Sequence, residues 1–241
     1  MDFPVSNEWQ PAWSWMPSSE NIIDVWLLDL TILDEDWHLL SCDESERAHR
    51  IVIKDKRNQK AAARVKLRRI LSRYVNTDPK NLNFEYGEHG KPNLPSKFNT
   101  NFNLSHSEKI GIVGVTKDVR IGIDLERLRP GRDLPGLAQR FFSLEENMAL
   151  HNLTEPERIT AFYRAWTSKE AYLKALGTGL SFPSNKFTID YTNDGSERII
   201  NTDMPGDDPS VWYFSDVTIN TEFVATVCFE GPERPIRWWK I

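Results

Sequence analysis

Asp124 and Glu126 are separated by one residue at the end of the apolar segment 121–126. Alternate side chains of a β-strand point to the same side, so both carboxylates would share one face while Leu125 faces the core. Two carboxylates on one face repel each other unless a cation lies between them, and Mg²⁺ prefers oxygen ligands of this kind. The pair therefore predicts a metal site, with an ordinary acidic strand end as the alternative.

A second charged group lies on a predicted helix. Trp166, Lys169, Glu170, Leu173 and Lys174 occupy positions i, i+3, i+4, i+7 and i+8, which predicts that they share one face. Apolar residues on that face indicate partial burial, and buried charges need counter-charges such as phosphate or metal. The alternative is an exposed ion pair between Glu170 and Lys174.

Two further segments could contact anions. Lys91 lies on a turn stiffened by Pro92, and Ser105 and His106 end a predicted strand with a hydroxyl and an imidazole. A hydrolase is disfavoured, because no GxSxG motif is present and an adjacent Ser-His pair cannot readily form a nucleophile–base contact. We interpret both segments as phosphate contacts.

Residues 47–73 carry eleven basic residues against one acid, Asp55. Such a segment attracts phosphates or an acidic partner through its summed field. Nucleic acid is not expected as a partner, because the segment lacks interleaved stacking aromatics and the whole protein has a net charge of −5. A solvated helix face is the alternative interpretation.

The elements that must position these residues are mixed helices and strands. Helical spacing is found within 43–74, a helix should begin near Ser143, and a capping box at Thr154 with Gly177 as C-cap predicts a helix over 155–176. Strands are predicted at 22–32, 102–105, 110–116, 121–125, 187–190, 212–214, 223–229 and 237–239. Because helices and strands do not alternate regularly, the predicted fold class is α+β.

Length and composition set wider limits. The 241 residues, 39% hydrophobic and 27% charged, suit a folded protein of one or two domains. No apolar run approaches the roughly 18 residues of a membrane span and no signal peptide is recognised, so we expect a cytoplasmic protein without a membrane partner. Cys42 and Cys228 lie too far apart in sequence to suggest a zinc motif or a disulfide framework.

Taken together, five segments resemble the surfactin-type 4′-phosphopantetheinyl transferases in order and near spacing. They are Gly-Lys-Pro at 90–92, Phe-Asn-Leu-Ser-His-Ser at 102–107, Gly-Ile-Asp-Leu-Glu at 122–126, Arg-Phe-Phe-Ser-Leu-Glu-Glu at 140–146, and the long motif at 166–181. The resemblance covers about residues 39–182.

This resemblance implies a monomer of two similar α+β halves related by pseudo-twofold symmetry, which we place at 1–117 and 118–241, with the active site between them. It also implies an activity: Mg²⁺-dependent transfer of the phosphopantetheine arm of coenzyme A to a serine of an apo acyl or peptidyl carrier protein. Adenosine 3′,5′-bisphosphate would be released. Such carriers are acidic helical bundles that serve fatty acid, polyketide or nonribosomal peptide synthesis.

The resemblance also assigns roles to individual residues. Asp124, Glu126 and Glu170 would ligate Mg²⁺, or Mn²⁺ in its place, and Glu170 is our candidate general base. The residues expected to contact coenzyme A are Lys91, Ser105 and His106 at the nucleotide and its phosphates, Lys174 at the pyrophosphate, and Arg47 and Arg50 near the 3′-phosphate. Glu44 occupies a position where some relatives have a basic residue.

Two other functions compete with this interpretation. Another Mg²⁺-dependent phosphotransferase acting on a nucleotide could use the same carboxylates, although the GxxxxGK[ST] loop of its commonest version is missing. A non-catalytic module could instead use residues 47–73 to bind RNA or an acidic protein.

Overall fold

The computed structural model describes residues 8–17, 21–31, 36–178, 182–192 and 198–241. Within these ranges lie five α-helices: α1 (Cys42–His49), α2 (Lys54–Val75), α3 (Leu134–Phe141), α4 (Leu144–His151) and α5 (Glu155–Leu176). The longer strands are β2 (Ile23–Asp29), β5 (Thr100–Ser107), β6 (Ile110–Lys117), β7 (Ile121–Arg127), β10 (Trp212–Asp216), β11 (Phe223–Glu230) and β12 (Ile236–Lys240). The shorter ones are β1 (Gln10–Pro11), β3 (Glu85–Tyr86), β4 (Pro92–Asn93), β8 (Phe187–Ile189) and β9 (Ile199–Thr202). The α+β class is confirmed.

The strands form two principal sheets. One has the order β1-β12-β2-β6-β5, the other the order β10-β11-β7, and the pairs β3–β4 and β8–β9 form two small ribbons. Each predicted strand is present, although the end of the segment predicted at 22–32 falls outside the described residues. The short strands β1, β3, β4 and β9 were not predicted, because two to four residues carry too little alternation to recognise.

The two sheets pack against each other and lie between the two long helices α2 and α5. One face of the first sheet packs on α2, for example Trp26 and Leu28 against Leu67. Its other face meets the second sheet, where Val25 and Ile123 belong to one core cluster. The far face of the second sheet packs on α5. The order of layers is therefore helix, sheet, sheet, helix, with similar elements in both halves.

Local sequence explains where α5 begins and ends. Thr154 and Glu157 form a capping box, and Gly177 adopts a left-handed conformation with φ of 77°. Ser143 and Glu146 form the same kind of box at the start of α4. Side chains that satisfy the free amide groups of a first turn stabilise it by about 1 kcal/mol. The predictions for both helices are confirmed.

Asp24 ties the end of the chain to its beginning. Its buried carboxylate accepts hydrogen bonds from Arg237 Nε at 2.7 Å, Trp239 Nε1 at 2.7 Å and Tyr74 Oη at 2.7 Å. These bonds hold β12 parallel to β2 within the first sheet. The division of the chain at residues 117 and 118 stays a prediction, but the last strand of the second segment lies in the sheet of the first.

Within the described residues, no helix combines the length and the apolar character needed to cross a bilayer.

Candidate active site

The two strand carboxylates lie where the sequence pattern predicts. Leu125 belongs to the core between the sheets. Asp124 and Glu126 therefore point to the opposite side, which is the side of β7 that α5 covers. Asp124 is buried and Glu126 is half-buried. Strand alternation alone is enough to direct both groups toward one helix.

Gly122 allows α5 to approach β7 closely. A Cβ atom at this position would lie 1.9 Å from the carbonyl oxygen of Ala171 and 2.4 Å from the amide nitrogen of Ala175. No side chain fits in that space. The glycine thus lets the helix backbone rest on the strand, and this contact brings Glu170 and Lys174 of α5 alongside Asp124.

Lys174 is the cation of this cluster. Its Nζ donates to Asp124 Oδ1 at 2.5 Å and to the carbonyl oxygen of Ile123 at 3.3 Å, and its side chain is 28% exposed. Ser105 Oγ also donates to Asp124 Oδ1, at 2.9 Å. Oδ2 of Asp124 is buried and has no hydrogen-bond partner among the described residues. One carboxylate oxygen is thus satisfied and the other is not.

Two of the three carboxylic acids have raised pKa values. Burial raises the pKa of Glu126, and the charge of Asp124 raises it further. Burial and the charges of Asp124 and Glu126 likewise raise the pKa of Glu170, while Lys174 opposes this shift. Lys174 opposes the shift of both glutamates, and Arg132 and Arg129 also oppose that of Glu126.

This donor set fits a divalent cation. Within the described part of the chain, no three His, Cys, Asp or Glu side chains already converge around one point. The unpartnered oxygen of Asp124 and the raised pKa values of Glu126 and Glu170 nevertheless indicate a place where a hard cation would relieve repulsion.

Polar side chains of β5 connect the halves at the same place. Asn103 Oδ1 accepts a hydrogen bond from the amide of Ile123 at 2.9 Å, and Ser107 Oγ accepts one from the amide of Arg127 at 3.1 Å. Ser105 lies between them on the same side of β5. These bonds satisfy backbone groups of β7 that no strand pairs with, so the cluster lies at the junction of the two halves.

A cavity of about 440 Å³ opens beside this cluster. Ser105, His106 and Lys174 line it, as do Arg47, Lys60 and Arg64, together with Tyr86, Gly90 and Pro92. Burial and the nearby charges of Arg64 and Arg47 lower the pKa of Lys60. Burial and Lys60 similarly lower the pKa of His106. The cavity is therefore short of negative charge, which an anionic ligand would supply.

Comparison with known proteins identifies the family. The 4′-phosphopantetheinyl transferase superfamily matches residues 120–228, and the N-terminal part of 4′-phosphopantetheinyl transferases matches residues 13–117. The chain is 38% identical over 189 residues to the 4′-phosphopantetheinyl transferase HetI of Nostoc sp., covering 70% of this chain and 76% of HetI. The chain belongs to the 4′-phosphopantetheinyl transferases. It is a transferase of this type, as the sequence motifs predict.

The identity to a second relative, Sfp, bears on the subtype within this family. The 4′-phosphopantetheinyl transferase Sfp of Bacillus subtilis is 29% identical over 196 residues, covering 81% of this chain and 84% of Sfp. HetI is thus more similar than Sfp, and the family prediction is confirmed at the level of the family.

Lys60, Arg64 and Tyr86 line the cavity but were not predicted from the sequence. Arg64 is bound to the buried Glu44, with Nε 3.2 Å from Oε1, and its Nη1 has no hydrogen-bond partner among the described residues. The guanidinium carbon of Arg47 lies over the ring of Tyr86, 4.9 Å from the ring centroid. The i, i+4 spacing of Lys60 and Arg64 on a predicted helix could have indicated that these two residues face the same side. Tyr86 lies in a strand of two residues, which is too short to give a recognisable pattern.

Arg47 and Arg50 separate in the structure. Arg47 lines the cavity, whereas the Arg50 side chain is 77% exposed and lies 3.8 Å from Glu46. The structure does not bring Arg50 to the cavity.

Lys91 occupies a position between the halves. Its Nζ donates to the carbonyl oxygen of Ile121 at 3.2 Å and to that of Lys174. Burial, and then the charge of Arg120, lowers its pKa to about 8. Its neighbours Gly90 and Pro92 line the cavity, but the ammonium group itself faces the end of α5.

The predicted single face of α5 is wrong for Lys169. Its Nζ donates to Glu146 Oε1 at 2.6 Å and to the carbonyl oxygen of Phe187 at 2.7 Å, inside the core of the second half. Glu146 also accepts from the amide groups of Ser143 and Ile189. Lys169 and Leu173 face this core, while Glu170 and Lys174 face the cleft, because neighbouring positions on a helix are rotated by about 100°.

The basic segment 47–73 does not form one exposed face either. Its residues have different partners: Arg47, Lys60 and Arg64 line the cavity, Lys66 and Arg68 are buried, Arg69 pairs with Asp36, and Lys54 and Lys56 are exposed at the start of α2. The summed charge of +10 therefore overstates what a single partner would meet.

Proposed function

We propose that this enzyme transfers the 4′-phosphopantetheine arm of coenzyme A to a serine hydroxyl of an apo carrier protein, depends on Mg²⁺ and releases adenosine 3′,5′-bisphosphate. The observation that carries the proposal is a cavity lined by cationic groups, one of which, Lys174, donates to Asp124 of the carboxylate cluster. Coenzyme A has the matching distribution of charge, with a 3′-phosphate at one end of its nucleotide and a pyrophosphate at the other.

Different cationic residues would bind the 3′-phosphate and the pyrophosphate of coenzyme A. Arg47, Lys60 and Arg64 suit the 3′-phosphate, because α1 and α2 present these three cations to the cavity. His106 and Ser105 suit the pyrophosphate together with Lys174. The turn that contains Lys91 would contact the nucleotide, while Arg50 would contribute only through its long-range field.

Asp124, Glu126 and Glu170 would hold the metal, and Mg²⁺, or Mn²⁺ in its place, would neutralise charge that develops on the pyrophosphate. Lys174 orients Asp124 by donating to Oδ1 and presents a positive charge to the same phosphates.

Glu170 is our candidate for the general base. Its raised pKa reflects a half-buried carboxylate near other negative charges, which makes it a better proton acceptor than an exposed glutamate. The attacking hydroxyl belongs to the carrier, so no activated serine or cysteine of this chain is needed. Most of the catalysis would come from positioning and charge neutralisation.

The surfactin-type subclass is supported by the five motifs, with HetI as the more similar relative. We further propose that the enzyme acts as a monomer in the cytoplasm, because the cavity combines residues of both halves of a single chain.

The test is mass spectrometry of apo carrier proteins incubated with the enzyme, coenzyme A and Mg²⁺. Acyl carriers of fatty acid and polyketide synthesis and a peptidyl carrier should be used side by side. We expect a mass gain of one phosphopantetheine arm on at least one carrier, and no gain after Mg²⁺ is removed by EDTA. No gain with any carrier would refute the proposal.

A further inference from the structure

Two apolar side chains are exposed at the turn between α1 and α2. Val52 is 92% exposed and Ile53 is 66% exposed. Ile53 is also the N-cap of α2 and provides no side-chain hydrogen bond to the first turn. By contrast, α1, α3, α4 and α5 begin at Ser41, Asp133, Ser143 and Thr154, which are residue types that cap well.

An isoleucine at this position is unfavourable for the helix, since Ser, Thr, Asp or Asn would satisfy a free amide group there. It is also unfavourable in water, because both side chains expose most of their apolar surface. Positions where the local sequence opposes the local structure are expected at functional sites. The turn is therefore a candidate contact surface.

The turn lies on the rim of the cleft. Lys56, one turn into α2, is 3.6 Å from Glu108, and Glu108 also pairs with Arg129 from the loop after β7. Glu108 follows Ser107, whose Oγ is 3.5 Å from Glu126. The chain of contacts runs from the apolar turn to the carboxylate cluster and joins both halves.

The charge of this rim is positive. Lys54 and Lys56 flank the turn on one side. On the other side, Arg129 pairs with Glu108 on the same rim. A partner that places a hydroxyl near Glu126 must cross this rim, and an acidic surface with exposed apolar residues would complement it.

We infer that Val52, Ile53 and the surrounding basic side chains form the docking surface for the acidic acceptor domain, that is, the apo carrier protein. The inference rests on the proposed function. Its apolar part would contribute affinity and its charges would speed the encounter.

The test compares Val52→Ser/Ile53→Ser with wild type in steady-state transfer to an apo acyl carrier protein. The KM for the carrier should rise at least about tenfold, since losing one buried aliphatic contact is worth a factor of that order. The KM for coenzyme A should not change. The thermal midpoint should not fall and should rise somewhat, because the Ile53→Ser change places a capping hydroxyl at the start of α2; this combination excludes a folding defect.

A matched control is Ile200→Ser, which removes a side chain that is 62% exposed on β9 and should leave both KM values unchanged. A carrier KM within about twofold of wild type in the double variant would overturn the inference, as would an equal rise in the KM for coenzyme A. So would a loss of self-association on mutation, seen by sedimentation, because the pair would then join copies of this chain. If wild type modifies no carrier, the proposed function itself fails.

Discussion

Two lysines of α5, five residues apart, each lie against a carboxylate, and their surroundings differ. Lys169 and Glu146 are fully buried, and each has further hydrogen bonds that complete its shell. Lys174 is partly exposed, and Asp124, its partner, keeps one buried oxygen without a hydrogen bond among the described residues. The first pair is a finished structural contact. The second is an incomplete one, which is what a binding site requires before its ligand arrives.

The largest expected effect is on the incomplete pair. Asp124→Ala and Glu126→Ala should each abolish transfer while the protein stays folded, because each removes a proposed metal ligand and little core packing. The measurement is turnover across a Mg²⁺ titration, with thermal melts as the control for folding. Turnover near wild type at low Mg²⁺ in either variant would contradict the metal assignment.

The complete pair should show its effect in stability. Lys169→Met leaves Glu146 buried without its counter-charge, and we expect the free energy of unfolding to fall by about 3–5 kcal/mol. Adding Glu146→Gln should recover part of this loss, because the charge is then gone while an oxygen remains to accept from a buried amide group. Urea denaturation of both variants measures this. A loss below about 1 kcal/mol in the single variant would place Lys169 among ordinary surface pairs.

Glu170→Gln tests whether Glu170 and Lys174 act in catalysis or form only a surface ion pair. The variant keeps the shape of the side chain but loses its charge and basicity, so turnover should fall by at least about 10²-fold, the low end for lost acid–base catalysis. Lys174→Ala should also lower kcat. Turnover is measured at saturating Mg²⁺ and coenzyme A. Near-normal rates in both variants would indicate a surface ion pair and remove Glu170 from the site.

Lys91 and His106 should differ in which kinetic constant changes. His106 lines the cavity, so His106→Ala should raise the KM for coenzyme A several-fold with a smaller change in kcat. The Lys91 ammonium bonds to the carbonyl oxygen of Lys174, so Lys91→Met should instead lower kcat by disturbing the end of α5. If Lys91→Met changes only the KM for coenzyme A, the lysine contacts the nucleotide directly, as the family resemblance predicts.

The smallest expected effect is a pH dependence of stability in EDTA. Because the folded protein raises the pKa of Glu126 and Glu170, it holds their protons to a higher pH than the unfolded chain does. This stabilising contribution is complete below about pH 4.3 and is lost as pH rises through the raised pKa values. The thermal midpoint of Glu170→Gln should therefore increase relative to that of wild type as the pH is raised from about 4 to about 7. A difference that does not vary with pH would mean that Glu170 is not in this environment.

The sequence predicted the acidic part of the site better than the basic part. Strand alternation and a two-residue spacing were enough to direct Asp124 and Glu126, because both act within one element. Helical spacing could not separate Lys169 from Glu170, since the choice depends on which core each side of α5 meets. That information lies in Glu146 and Gly122, which contact α5 from other elements.

For the fold as well, features that depend on one element were predicted and features that depend on contacts between elements were not. Capping residues and long apolar strands were recognised because their signals are local. The partners of the basic residues were not: Arg64 reaches the cavity because Glu44, on another helix, holds it there. The arrangement in two similar halves was supplied by the family resemblance rather than by residue patterns.

The position of β12 between β1 and β2 has a consequence for how the chain is made. The first sheet lacks an inner strand until residues 236–240 have left the ribosome, although the rest of that sheet is encoded in the first half of the sequence. Contacts between residues this far apart raise the contact order and slow folding. Asp24 is synthesised long before its partners Arg237 and Trp239. The nascent first half would therefore stay incomplete and exposed to misassociation until β12 has been made, and loss of β12 would affect the half that is made first.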